Sequence, residues 1–76
     1  MPKAFVLITS ELGKELAVMD GLKKIQNVKE AHTLYGVYDV IAQVECEGES
    51  DLRNLVTNRI RALNDVRATM TLMVAE

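Results

Sequence analysis

The sequence predicts an α+β fold of the ferredoxin-like kind, β-α-β-β-α-β, with a four-stranded antiparallel sheet and two helices on one face. Three observations carry this. Apolar residues alternate or run together in four strand-like stretches. They recur at three- and four-residue steps in two others. The order of those stretches makes two βαβ halves joined by a hairpin, and right-handed crossovers then leave this topology.

The elements follow in order. Lys3 to Thr9 is a compact run of strand formers, about the length of a buried strand. From Leu12 the period changes: Leu12, Leu16, Met19, Leu22 and Ile25 predict an amphipathic helix, with Ser10 placed to cap it. Gly21 costs such a helix up to about 1 kcal/mol relative to alanine, which points to a close packing contact there. Val28 to Tyr35 reads as a strand with Val28, Glu30, His32 and Leu34 on one face. Gly36-Val37 reads as the turn, and Tyr38 to Glu47 as the partner strand of a hairpin. Gly48-Glu49-Ser50 breaks that strand, and Ser50 is placed to cap a second helix. Its stripe is Leu52, Leu55, Val56, Ile60 and Leu63, and Asn64-Asp65 closes it. Val66 to Ala75 is the last strand. Simple alternation puts Val66, Ala68, Met70, Leu72 and Val74 on the core face and Arg67, Thr69, Thr71 and Met73 on the other.

Composition bounds the function. The chain has 76 residues and reads as one domain, 1–76, whose 49% apolar content is ample for a core. A domain this short buries only about 60% of the surface its unfolded chain exposes. Such domains compensate with disulfides, metals or oligomerisation. A lone cysteine, Cys46, gives no internal disulfide, and a lone histidine, His32, gives no zinc cluster. Self-association remains. The sheet face that the helices leave open, read as Ile41, Gln43, Thr69, Thr71 and Met73, suits a second sheet, so a face-to-face dimer is expected.

The net charge of −2 argues against a nucleic-acid surface of its own. No apolar run is long enough to span a bilayer, and the N-terminus lacks a signal-peptide core, so a cytoplasmic location is the default expectation. There is no CxxC, HExxH, Walker loop or GxGxxG. No catalytic residue, cofactor or metal is expected. Phe5, Tyr35 and Tyr38 are too few aromatics for a ferredoxin-like RNA reader.

The informative stretch is Tyr35-Gly36-Val37-Tyr38-Asp39, followed by the apolar Val40-Ile41-Ala42. Here, and in Thr69-Met70-Thr71 of the last strand, the sequence resembles the effector-binding domain of the Lrp/AsnC family of transcription regulators, the RAM module. The resemblance covers the whole chain. It implies a sheet-to-sheet dimer (a dimeric α/β barrel) that assembles further into a tetramer or octamer. It also implies an amino-acid effector held between dimers, and a full-length regulator of the same family as a partner. With no helix-turn-helix ahead of it, direct DNA binding is not expected. Carried over residue by residue, the ligand site is Tyr35, Gly36, Val37, Tyr38 and Asp39 with Thr69, Met70 and Thr71. Tyr35 stands where the family often has a small hydroxylated residue, which leaves the ligand's size open.

Chemistry supports the same residues. An ammonium calls for a carboxylate, which Asp39 offers, and a carboxylate calls for hydroxyls and backbone N–H groups, which Thr69, Thr71 and the Gly36 segment offer. Simpler roles compete. Asp39 could bond only the turn backbone, Gly36 could serve only a positive φ, and the threonines could be ordinary strand formers. Cys46 reads as a small core residue and His32 as a surface one. The alternative function is a small enzyme of the dimeric α/β-barrel type, a monooxygenase or isomerase. Such a site needs a pocket within the monomer with a histidine or several aromatics, and this composition argues against it.

Overall fold

A computed structural model describes residues 1–75; Glu76, the last residue of the expected domain, lies outside them. The elements are β1 (Lys3–Ser10), α1 (Glu15–Lys23), β2 (Val28–Thr33), β3 (Val40–Glu45), α2 (Glu49–Leu55) and β4 (Val66–Met73). One wide π turn, Val56–Ile60, prolongs α2. The sheet order is β2-β3-β1-β4 with every neighbouring pair antiparallel, which is the ferredoxin-like arrangement the sequence predicts. No described helix is long and apolar enough to cross a membrane.

The core lies between sheet and helices. Ala4, Val6 and Ile8 of β1 and Val40, Ala42 and Val44 of β3 point into it. Val18, Leu22 and Ile25 close it from the first helix and its end, and Leu52, Leu55, Val56 and Ile60 from the second. Each fully buried aliphatic side chain contributes roughly 1.5–3 kcal/mol. Cys46 is buried among them, and burial pushes its thiol pKa up, with the Asp51 carboxylate adding to the rise. Gly21 does mark a close contact: a Cβ there would come within 2.9 Å of Leu63 Cδ2.

Several local expectations are corrected. Helix α1 begins at Glu15 because Gly13, at φ +77°, turns the chain first, with the Lys14 N–H donating to the Glu11 carbonyl. Leu12 and Leu16 are therefore not core residues; they are 97% and 69% exposed. Ser10 caps nothing; it is the buried last residue of β1. Ser50 lies inside α2, whose N-cap is Gly48 with no side-chain cap. The β2–β3 connection is not a two-residue turn. Strand β2 ends at Thr33 and β3 starts at Val40, so Leu34 to Asp39 form a loop and Tyr38 and Asp39 stand outside β3.

Two bulges reset the faces. In β2, Val28 pairs with Val44 and Glu30 with Gln43, so Lys29 is an extra residue. Val28 and Ala31 then both pack on the core, and Glu30 and His32 face the other way. In β4, Val66 pairs with Ser10 and Ala68 with Thr9, so Arg67 is extra. From Ala68 onward the phase is inverted relative to simple alternation. Thr69, Thr71 and Met73 pair with Ile8, Val6 and Ala4 and so lie on the helix side. Met70 and Leu72 pair with Leu7 and Phe5 on the open face. The open face is therefore centred on Phe5, Leu7, Ile41, Met70 and Leu72, and is more apolar than the sequence alone suggests.

Candidate ligand-binding site

The loop from Leu34 to Asp39 is fastened to the end of β1. The Asp39 N–H donates to the Ile8 carbonyl at 2.9 Å, and the Leu34 N–H to the Asp39 carbonyl at 2.8 Å. The Thr9 hydroxyl donates to the Val37 carbonyl at 2.8 Å. The Asp39 carboxylate takes two bonds from one residue: the Ser10 N–H at 3.0 Å and the Ser10 hydroxyl at 2.6 Å. The Asp39 carboxylate thus bonds the end of β1, not its own turn. A carboxylate accepts at about four lone-pair positions, so two remain for something else. Gly36 sits at φ +140°, and a Cβ there would meet nothing within 4 Å. Its glycine is required by backbone conformation, not by a crowded neighbour.

Between this loop and the first turn of α1 lies a groove of about 440 Å³ lined by Glu15, Leu16, Thr33, Leu34, Tyr35, Gly36 and Asp39. Glu15 and Leu16 did not figure among the sequence candidates. They belong to the groove because the Gly13 turn brings the start of α1 beside the loop, and no local signal in the sequence marks them. Two carboxylates and no cation line the groove, so its electrostatic field favours a positive group. Leu16 and Tyr35 in its wall are exposed apolar surface, and so are Leu12 and Val37 on the adjoining chain segments.

The candidate residues do not form one cluster within the chain. Tyr35, Gly36 and Asp39 line the groove, with Val37 exposed on the same loop. Tyr38 and Met70 meet on the open face, where the Tyr38 hydroxyl lies 3.9 Å from the Met70 sulfur. Thr69 and Thr71 line a second groove, beyond β1, under α2. Strands lie about 4.8 Å apart, so crossing from β3 over β1 to β4 takes roughly 10 Å. His32 is exposed on β2, 3.3 Å from the Glu30 carboxylate. Among the described residues no group of His, Cys, Asp and Glu could hold a metal ion.

Ser10→Ala removes the shorter bond to Asp39 and leaves a partly buried carboxylate oxygen unpaired. The expected loss is roughly 1–3 kcal/mol of unfolding free energy, read by urea titration. A loss under about 0.5 kcal/mol, the range of ordinary surface substitutions, would mean that the other bonds hold the loop unaided.

The fold is that of a small α+β domain with an acidic groove at one end. Over residues 3–76 the sequence matches the model of the Lrp/AsnC ligand binding domain, and the chain belongs to that family. The protein FFRP-DM1 has a similar crystal structure: 38% identity over 97% of this chain and 99% of that one, TM-score 0.93. AsnC of E. coli is similar at 24% identity and TM-score 0.91, over 99% of this chain. A transcriptional regulator of Neisseria meningitidis, solved as its L-Met complex, is similar at 16% identity and TM-score 0.87, over 99% of this chain. This chain spans about half of the AsnC and Neisseria chains, 51% and 50%. No curated protein matches the sequence.

Proposed function

We propose that this chain is a non-enzymatic, cytoplasmic amino-acid sensor that passes ligand occupancy to a transcription regulator through its own assembly. The observation that carries the reading is the Asp39 groove. A carboxylate held in place by Ser10, with Glu15 beside it, presents two negative groups at a preformed cleft. That arrangement suits the ammonium of a free amino acid. The exposed Leu12, Leu16, Tyr35 and Val37 around it suit the apolar part of a ligand and the surface of a neighbouring copy. The similarity to a regulator solved with L-Met supports the same class of ligand.

In this reading two copies pair through their open sheet faces, and the dimers associate further at the Asp39 end, where Tyr35 to Asp39 of one dimer meet residues of the next. Ligand bound at such a junction shifts assembly because occupancy and association are linked. The partner that reads the change of assembly is a full-length regulator of the same family. An enzymatic role on this topology would need a pocket between sheet and helices. The centre of that layer is filled by Val6, Ile8, Val18, Leu22, Leu52 and Ile60, all essentially inaccessible to solvent, and only an open groove at the β4 edge separates α2 from the sheet.

Titration calorimetry with a panel of amino acids tests the reading. Asp39→Asn keeps the loop, since its amide oxygen accepts from the Ser10 N–H and its NH₂ donates to the Ser10 hydroxyl. Affinity for the best amino acid is expected to fall by roughly 1.5–3 kcal/mol, the worth of a charge-assisted hydrogen bond. Unchanged affinity with an intact oligomer would leave Asp39 as a loop-fastening residue alone.

A further inference from the structure

The second groove carries chemistry opposite to the first. Arg53 in α2, Thr57 in the π turn and Arg61 just past it are spaced by four residues, close to one helical turn, and line the same side. Thr69, Thr71 and Met73 stand two residues apart on the helix-side face of β4. The two periodicities converge on a groove of about 440 Å³, closed below by Leu52 and Val56. The residues lining it include two guanidinium groups, three hydroxyls and no carboxylate. Among the described residues neither Arg53 nor Arg61 takes part in a salt bridge; the only ones are His32 with Glu30 and Arg67 with Glu11. The inverted phase of β4 makes the site, because it turns both threonines into the groove that the arginines line instead of to the open sheet face.

We infer that this groove binds a small aliphatic carboxylate, with the anionic end between Arg53 and Arg61, bonded by threonine hydroxyls, and the aliphatic end against the exposed Met73 and the edge of Val56. Guanidinium groups suit an oxyanion because their N–H donors match its geometry. Two cations repel an ammonium, so the groove selects acids that lack one. This separates it from the Asp39 groove, where the charge preference is reversed. The two sites lie on opposite sides of β1, and this one draws nothing from the amino-acid reading.

The test is a titration of the full chain with isocaproate at low ionic strength, followed by amide chemical shifts. Saturable shifts are expected at Thr57, Thr69 and Thr71. The double variant Arg53→Gln, Arg61→Gln changes exposed side chains only, and is expected to weaken binding at least about tenfold. Asp39→Asn is expected to leave it unchanged. Isoamylamine, similar in body but cationic, is expected not to bind here, and inorganic phosphate to bind more weakly than isocaproate. Absence of saturable shifts in this groove, binding unaffected by the double variant, or tight binding of the amine would overturn the site. Phosphate binding as tightly as isocaproate would overturn the assignment to an aliphatic acid. Loss of amino-acid binding in Asp39→Asn with isocaproate binding retained keeps the two proposals separate, and each can fail alone.

Discussion

In the proposed sheet-to-sheet dimer, Phe5→Glu is expected to give a monomer at micromolar concentration, and Leu72→Glu to do the same. Phe5 and Leu72 are directly paired at the middle of the open sheet face, flanked by Leu7, Met70 and Ile41. If two such faces pack together, either substitution places an unpaired carboxylate in a desolvated interface, at an effective cost of several kcal/mol. The monomer should also melt at lower temperature, because association stabilises the folded state by mass action. Sedimentation velocity and a thermal scan at two concentrations read both effects. A wild-type chain that sediments as a stable monomer, or a dimer untouched by both substitutions, would remove the sheet-to-sheet arrangement from the proposal.

Leu22→Ala is expected to cost about 2–5 kcal/mol of unfolding free energy. Leu22 is wholly buried in α1, among the largest inaccessible side chains of the core. A domain of this size has a total stability of roughly 4–11 kcal/mol, so the variant sits near the edge of folding. Urea denaturation at fixed protein concentration measures the loss. A value below about 1 kcal/mol would mean that the space left by the side chain is refilled by its neighbours.

The sequence is most legible where one period governs a whole element. Strand β3 alternates without interruption, so Val40, Ala42, Val44 and the adjoining Cys46 fall on the core side as their spacing predicts. The α2 stripe holds too, because Leu52, Leu55, Val56 and Ile60 remain on the buried side through the π turn. Legibility ends where a single inserted residue changes the phase. Arg67 in β4 and Lys29 in β2 look like ordinary members of alternating strands, yet each is the extra residue of a bulge. Nothing local distinguishes a bulged residue from a paired one; the partner strand decides. The inverted β4 therefore moved Thr69 and Thr71 away from the place where alternation put them.

The site was legible in part for the same reason. Asp39 and Gly36 stand out within a short segment, and Tyr35 with them. Glu15 and Leu16 are brought to the groove by a turn at Gly13, and Ser10 acts from the end of another strand. Leu12 and Leu16 continue the three- and four-residue spacing of α1, yet the helix starts only at Glu15 and both side chains stay exposed. Periodicity reports which residues share a face. It does not report how far the opposing layer extends.

The bonds from Thr9 and Ser10 to the loop lie wholly within the chain and need no ligand to complete them. The entropy of ordering that loop is thus lost on folding and not again on binding. The cleft is preorganised, and its recognition and the chain's resistance to unfolding draw on the same few contacts. A substitution in the last two residues of β1 would alter affinity without touching the ligand. Variants selected for tighter binding at Asp39 would be expected to emerge as thermally hardier proteins, with slower exchange of the Asp39 amide hydrogen as the shared signature.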